Sequence, residues 1–162
     1  MYLVLKLLHV ASVIAFLGNI TTGLFWHRHA ARTRDPKILA FTMGGIIRSD
    51  RIFTIPGVIG ITVAGFAAAI HGKLPLLGTP WILWGIILFS FSGFVFSARL
   101  APLQRQLRDM AAEGAQSGTF DYARYHALTR RWETLLSLLP LHFIPAFAGT
   151  RTPAPAPNTP RA

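Results

Sequence analysis

Four stretches of the chain are almost entirely apolar, and polar residues gather between them. From Tyr2 to Trp26 the only formally charged side chain is Lys6. At about 1.5 Å per residue, a helix of that length exceeds the roughly 30 Å apolar core of a bilayer. Residues 52–71 and 80–98 carry no formal charge and are each just long enough to span. The pattern predicts three spanning helices, at about residues 2–26, 52–71 and 80–98.

A fourth helix is predicted over residues 132–149, and its composition makes it the weakest of the four. Glu133 lies near its start, and Pro140 and Pro145 each remove a backbone hydrogen-bond donor. We expect this helix to be short or broken by proline. The chain is thus expected to be an all-α, polytopic membrane four-helix bundle, with one domain over residues 1–150 and a disordered, proline-rich tail over residues 151–162.

Positive charge is concentrated in alternate connecting segments. Residues 27–51 and 99–131 each carry six lysines or arginines, whereas residues 71–80 carry one. By the positive-inside rule, the first and third connecting segments face the cytoplasm and both termini face outward. The excess of positive charge, +10 in all, therefore indicates which connecting segments face the cytoplasm. We expect the lipid bilayer as a partner and no nucleic acid, because the apolar runs leave too little soluble chain for a nucleic-acid-binding domain.

The third connecting segment also carries helical periodicity. Leucines and a methionine recur at steps of three and four residues from Leu100 to Met110. This stripe predicts a helix that lies on the membrane or on a partner helix. Residues 114–118 interrupt the period, and a new one begins at Tyr122 and leads into the fourth segment.

Cap residues indicate where the second and third spanning helices begin. Thr79, directly before Pro80, is a suitable N-cap for the third helix. Ser49 or Asp50 can cap the second helix in the same way. Pro56 then falls near the first turns of the second helix, where we expect it to bend the helix without abolishing it.

The first segment has one polar face, which includes a histidine. Residues at positions 9, 12, 16, 19 and 23 share this face, beginning with His9 and ending with Gly23. A polar face in a spanning helix turns toward the bundle interior. His9 and His142 are predicted at similar depths from the outer side, so the two imidazoles are candidate axial ligands for the iron of haem b. The structural alternative is that His9 hydrogen-bonds to a neighbouring helix. We assign no chemistry to the other histidines.

A second group of candidate residues gathers at the predicted inner face. Arg48, Arg51 and Arg99 are candidate partners for haem propionates, an anionic head group or a phosphate. The alternative is a positive flank in which Asp50 and Glu133 pair with arginines at the helix ends. The chain has no cysteine, which excludes disulfides, thiolate metal sites, covalent c-type haem attachment and cysteine nucleophiles.

Several motifs at the loop–helix junctions resemble those of one known family. They are Lys6-Leu-Leu-His9 with Gly18-Asn19, Ile47-Arg-Ser-Asp50-Arg51 running into Pro56-Gly57, Trp81-Ile-Leu-Trp84, Arg99-Leu-Ala-Pro102 and Arg130-Arg-Trp-Glu133. Over roughly residues 1–139 the chain resembles the bacterial integral membrane proteins grouped as domain of unknown function 2269. The resemblance implies a four-helix, multi-pass protein of the bacterial inner membrane, and it brings no established activity.

The opening motif is more distantly similar to two other membrane families. Lys6-x-x-His9 resembles the start of the copper-resistance protein D type of domain and of the J-type protoporphyrinogen oxidases. Both families place a histidine in the first helix and are associated with haem or copper. This similarity implies that His9 is the metal or haem ligand.

Three functions remain open, and whether the chain is an enzyme is open too. The first is a membrane module that binds b-type haem or a related tetrapyrrole through His9, for electron transfer or haem handling. The second is a non-enzymatic assembly protein that binds a membrane protein or a second copy of itself. It would use the Leu100–Met110 stripe and the small-residue face that begins at Gly57. The third is a small transporter, disfavoured because no acidic residue lies deep in the first three segments.

Overall fold

The structure of this chain, a computed structural model, describes residues 1–141 and arranges them as four helical rods. The rods are α1 (Tyr2–Ala31), α2 (Pro36–Ser49) continued by α3 (Ile55–His71), α4 (Pro80–Val95) continued by α5 (Ala101–Ser117), and α6 (Tyr122–Leu141). This part of the chain contains no strand, and the prediction of an all-α protein with four helices is confirmed. The predicted residues 142–149 of the fourth helix and the tail lie outside the described residues.

Two short π-helical segments join the halves of the two long rods. They are Asp50–Thr54, between α2 and α3, and Phe96–Leu100, between α4 and α5. In each segment the closing hydrogen bond spans five residues, from the Ile55 N–H to the Asp50 carbonyl and from the Ala101 N–H to the Phe96 carbonyl. Both rods therefore pass through a locally widened turn without ending.

A proline follows each π segment and explains its position. Pro56 and Pro102 come directly after the residues that close the two wide turns. Proline has no N–H, and its ring crowds the carbonyl four residues earlier, so a wider turn just before it lets the helix continue. The expectation that Ser49 or Asp50 caps a new helix is wrong, because the chain is helical through both positions.

The helices extend beyond the apolar runs that predicted them. α1 continues to Ala31, the second rod begins at Pro36, the third continues to Ser117, and α6 begins at Tyr122. Apolar runs report the membrane-crossing part of a helix, whereas helices also continue into the polar segments on either side. Three rods, at residues 2–31, 36–71 and 80–117, are long and apolar enough to cross a membrane.

The rod ends follow local sequence signals. Asp35 precedes Pro36, and its side chain accepts a hydrogen bond from the Lys37 N–H. Thr79 has extended backbone directly before Pro80, as the sequence predicts for the start of α4. Gly118 ends α5 with φ of 71°, a left-handed conformation that glycine adopts without steric cost.

The best-packed part of the described chain lies at the arginine-rich end, which we define as the end of α1 together with α2, α5 and the first four turns of α6. Residues of all four rods form its buried cluster. The members are Ala30, Leu39, Met43, Ile46, Leu100, Leu107, Ala111, Tyr125, Trp132 and Leu136. Leu100 and Leu107 are fully buried, so the predicted stripe packs inside its own chain and not on the membrane or on a partner.

The other half of the molecule is thinly covered and presents apolar side chains outward. α1 packs along α3, while large apolar residues on α1, α3 and α4 stay exposed, among them Leu7, Ile14, Ile59, Val63 and Phe94. Exposed apolar surface of this extent is costly in water and normal in contact with lipid. The division matches the predicted spans, with the arginine-rich end outside the apolar layer.

Candidate functional site

His9 lies in the contact between the antiparallel helices α1 and α3. Its Nδ1 is 2.9 Å from the backbone carbonyl oxygen of Ile61. Because a carbonyl only accepts, Nδ1–H must be the donor of this bond, and in the neutral form of the ring Nε2 is then the nitrogen without a proton. The Nε2 atom then carries the free lone pair. The structure thus contains the predicted hydrogen bond to a neighbouring helix, and that bond leaves the second ring nitrogen available.

Glycines of α3 allow the polar face of α1 to approach closely. A Cβ on Gly65 would lie 3.0 Å from His9 Nδ1, and one on Gly57 would lie 3.2 Å from the Phe16 Cβ. The small-residue face of the second segment therefore packs on α1 of the same chain. Its role in close helix packing is as the sequence predicts, but it is occupied within the chain and is not a free surface for a partner.

Further along the same α1 face, Asn19 reaches a buried carboxylate. We call this group the Asp50 cluster, formed by Asn19, Asp50, Thr54 and Gln104. Asp50 Oδ1 accepts hydrogen bonds from Asn19 Nδ2 at 2.9 Å and from the Thr54 hydroxyl at 2.8 Å. Asp50 Oδ2 accepts from Gln104 Nε2 at 2.9 Å. The cluster joins α1, the first π segment and α5, and all of its donors are neutral.

The Asp50 cluster corrects one expectation. Asp50 does not pair with arginines at a helix end, because its hydrogen-bond partners are neutral side chains and its side chain is buried. Gln104 was missed as a partner, although a polar residue between the apolar positions Leu100 and Leu107 is a visible signal of a buried hydrogen bond.

His27, one of the histidines to which the sequence assigned no chemistry, is fully buried at the arginine-rich end. Its Nε2 lies 3.2 Å from the Tyr125 hydroxyl, and its Nδ1 lies 3.7 Å from Glu133 Oε1. Arg28 also contacts Glu133, with Nε 3.4 Å from Oε1. Burial raises the pKa of the Tyr125 phenol, so Tyr125 stays protonated and available as a donor. These contacts tie α1 to α6, and the predicted pairing of Glu133 with an arginine is present.

The three predicted arginines are placed away from His9. Arg48 and Arg51 are exposed beside Asp50, which contacts α1 at Asn19, ten residues and about 15 Å along the helix from His9. Arg99 is exposed and precedes Gln104, the partner of Asp50 on α5, by five residues. Within residues 1–141, no hydrogen bond joins His9 to any of these arginines.

Two further predictions concern metal ligands. His142, the predicted second axial ligand, lies outside the described residues. Within residues 1–141, no three histidine, aspartate or glutamate side chains gather as a group that could hold a metal ion.

Comparison with known families agrees with the architecture. A family model described as a predicted integral membrane protein, domain of unknown function 2269, matches residues 3–148. The chain belongs to this family. No curated protein and no solved structure matches the chain. The more distant similarity to copper-resistance protein D and protoporphyrinogen oxidase domains is not shown by any of these comparisons.

Membership of family 2269 and the apolar rods together establish the general character of the molecule. It is an integral membrane protein with several transmembrane helices, and its apolar surface contacts lipid. The family carries no assigned activity, so the chemistry must be inferred from the side chains. His9 and the Asp50 cluster are the two places where polar groups meet inside the apolar rods.

Proposed function

We propose that this chain is a haem-binding module of the bacterial inner membrane, in which His9 ligates the iron of b-type haem or a related tetrapyrrole. The observation that carries the proposal is the hydrogen bond from His9 Nδ1 to the Ile61 carbonyl, with 2.9 Å between the two atoms. Histidines that bind metals almost always donate their other ring N–H to a carbonyl or carboxylate. His9 meets that condition within an apolar helix pair.

The residues around His9 fit the role of an oriented ligand. The Ile61 carbonyl orients the ring, and Gly65 leaves room for the Nδ1–Cε1 edge of the ring against α3. A bound haem would supply one-electron chemistry, with its potential set by the axial ligand and by the apolar surroundings. The protein's own contribution is to position the imidazole and exclude water from it.

The proposal leaves the other predicted residues with different roles. Arg48 and Arg51, about 15 Å from His9 along the axis of α1, remain the proposed propionate partners. Arg99 lines a separate opening together with two arginines of α6. We keep His142 as the proposed second axial ligand.

We further propose that the arginine-rich end faces the cytoplasm and that both termini face outward. The support is the distribution of lysine and arginine, with six in each of residues 27–51 and 99–131 and one in residues 71–80. His9 then lies about 10 Å from the outer end of α1. A haem at that depth would sit in the outer half of the bilayer.

An absorption spectrum of the purified protein tests the haem proposal. The protein is prepared in mild detergent from cells supplied with haem, and a Soret band in stoichiometric amount is expected. His9→Ala should abolish the band, whereas the control His71→Ala, an exposed histidine at the end of α3, should retain it. A haem-supplied preparation without a Soret band overturns haem binding, and a His9→Ala variant that keeps the full band overturns the ligand assignment.

Rescue by a free ligand separates ligation from a structural role. In His9→Gly, added imidazole should restore a low-spin spectrum if the side chain binds iron, because the small ligand can occupy the vacated position. A structural loss would not respond to imidazole. The two surfaces that the partner alternative would use, the Leu100–Met110 stripe and the small-residue face of α3, pack within the chain.

A further inference from the structure

A cavity of about 600 Å³ opens between α6 and the third rod, beside the second π segment. Three arginines line it, Arg99 from the π segment and Arg130 and Arg131 from α6. Gln106 and Thr134 add neutral polar groups, and the remaining lining is apolar. This set of side chains forms a binding site only for a ligand that is negatively charged and partly apolar. We call it the arginine cavity.

The positive charge of the arginine cavity is not compensated by the protein. No acidic residue lines it. Glu133, the acid nearest in sequence to Arg130 and Arg131, is engaged on the other side of α6 with Arg28 and His27. Within residues 1–141, none of the three cavity arginines forms an ion pair. Three like charges around one opening therefore attract an external anion.

The position of the cavity indicates the source of that anion. Arg99 directly follows the uncharged run of residues 80–98, so the cavity lies where the third rod leaves the apolar layer. Leu103 and Leu135 line its apolar part, and exposed apolar side chains such as Ile87 and Phe94 continue along α4. A ligand with a charged head and apolar tails matches both surfaces, and basic cavities between helices on this side of a membrane bind anionic lipid head groups.

We propose that the arginine cavity binds the phosphodiester head group of an anionic glycerophospholipid from the leaflet at the arginine-rich end. The phosphate lies among Arg99, Arg130 and Arg131, and the acyl chains run along α4. Inorganic phosphate offers the same charge without the tails, so the two sources are separable by experiment. His9 does not line this cavity, so the proposal does not depend on haem binding there.

Native mass spectrometry of the detergent-purified full chain tests the proposal. Phosphatidylglycerol, phosphatidylcholine and inorganic phosphate are titrated separately, and one tightly held phosphatidylglycerol is expected. Each arginine beside an anionic head group contributes roughly fivefold, so replacing Arg99, Arg130 and Arg131 with glutamine should weaken binding about a hundredfold. The control replaces Arg32, Arg105 and Arg124, three exposed arginines outside the cavity, and should change binding by less than about threefold.

A cavity-filling variant keeps the test decisive if the triple glutamine variant fails to fold. Ala98→Trp fills the opening without changing charge, so it should also remove the tightly bound phosphatidylglycerol. Equal losses in the control and the cavity variants would show only general surface attraction and would overturn the proposal. Inorganic phosphate that displaces the lipid at similar concentration, or phosphatidylcholine that binds equally well, would also overturn it.

Discussion

Removing the carboxylate of Asp50 should be among the most destabilising single changes in this protein. Asp50→Ala leaves three donors without their acceptor, on half-buried Asn19 and on buried Thr54 and Gln104. Hydrogen bonds to a charged group are each worth about 1.5–3 kcal/mol. Part of that is offset because the variant no longer buries a charge, and Asn19 and Thr54 keep their own contact at 3.0 Å. We expect a net loss of about 3–5 kcal/mol in the free energy of unfolding.

The matched variant Asp50→Asn separates hydrogen bonding from charge. The remaining Oδ1 still accepts from Asn19 and Thr54. The new amide group faces Gln104, whose own amide can turn to present its oxygen. The network is then rebuilt with neutral groups, and we expect a loss of only about 1–2 kcal/mol.

These free energies are measured by reversible unfolding in mixed micelles. The fraction of denaturing detergent is varied, and far-ultraviolet circular dichroism reports the loss of helix. The parent and the two variants are compared at the same lipid-to-detergent ratio. A loss below about 1 kcal/mol in Asp50→Ala would refute the hydrogen-bond reasoning. Equal losses in Asp50→Ala and Asp50→Asn would show that the charge, and not the set of donors, carries the stability.

Two further predictions concern glycines. A Cβ on Gly60 would lie 3.0 Å from the Ser12 Cβ, so Gly60→Leu should separate α1 from α3 and cost at least about 2 kcal/mol of unfolding free energy. Its control Gly93→Leu, where nothing lies within 4 Å, should cost under about 0.5 kcal/mol, and similar values for both would contradict the packing. Gly118→Ala should lower the free energy of unfolding by about 1–2 kcal/mol because φ at this position is 71°. Its control Gly45→Ala, in open space inside α2, should raise that free energy. A Gly118→Ala variant with unchanged stability would argue against the left-handed cap.

Much of the architecture could be predicted from sequence because it depends on local patterns. The uncharged runs predicted the spanning parts of three rods, and the leucine period from Leu100 predicted α5. The interruption predicted at residues 114–118 marked the turn before α6 only at its last position, because α5 continues to Ser117 and ends at Gly118. Each of these signals lies within a few residues of the feature that it predicts, so no long-range contact was needed.

The features that were missed depend on contacts between residues distant in sequence. Asp50 meets Asn19 across 31 positions and Gln104 across 54, and His27 meets Tyr125 across 98. No periodicity specifies such pairs. Pro56 was predicted to bend a helix that starts at Ser49 or Asp50, whereas the π segment before Pro56 lets one continuous rod pass through these positions.

The division of the molecule into a lipid-embedded half and an arginine-rich end is tested most directly by cysteine labelling in intact bacterial cells. The chain has no cysteine, so Lys73→Cys and Gln116→Cys each create a single thiol, one in the loop before α4 and one in the last turn of α5. A membrane-impermeant maleimide should label Lys73→Cys in intact cells and Gln116→Cys only after the inner membrane is opened. Labelling of both from the same side, or recovery of the protein in the soluble fraction without detergent, would contradict this arrangement.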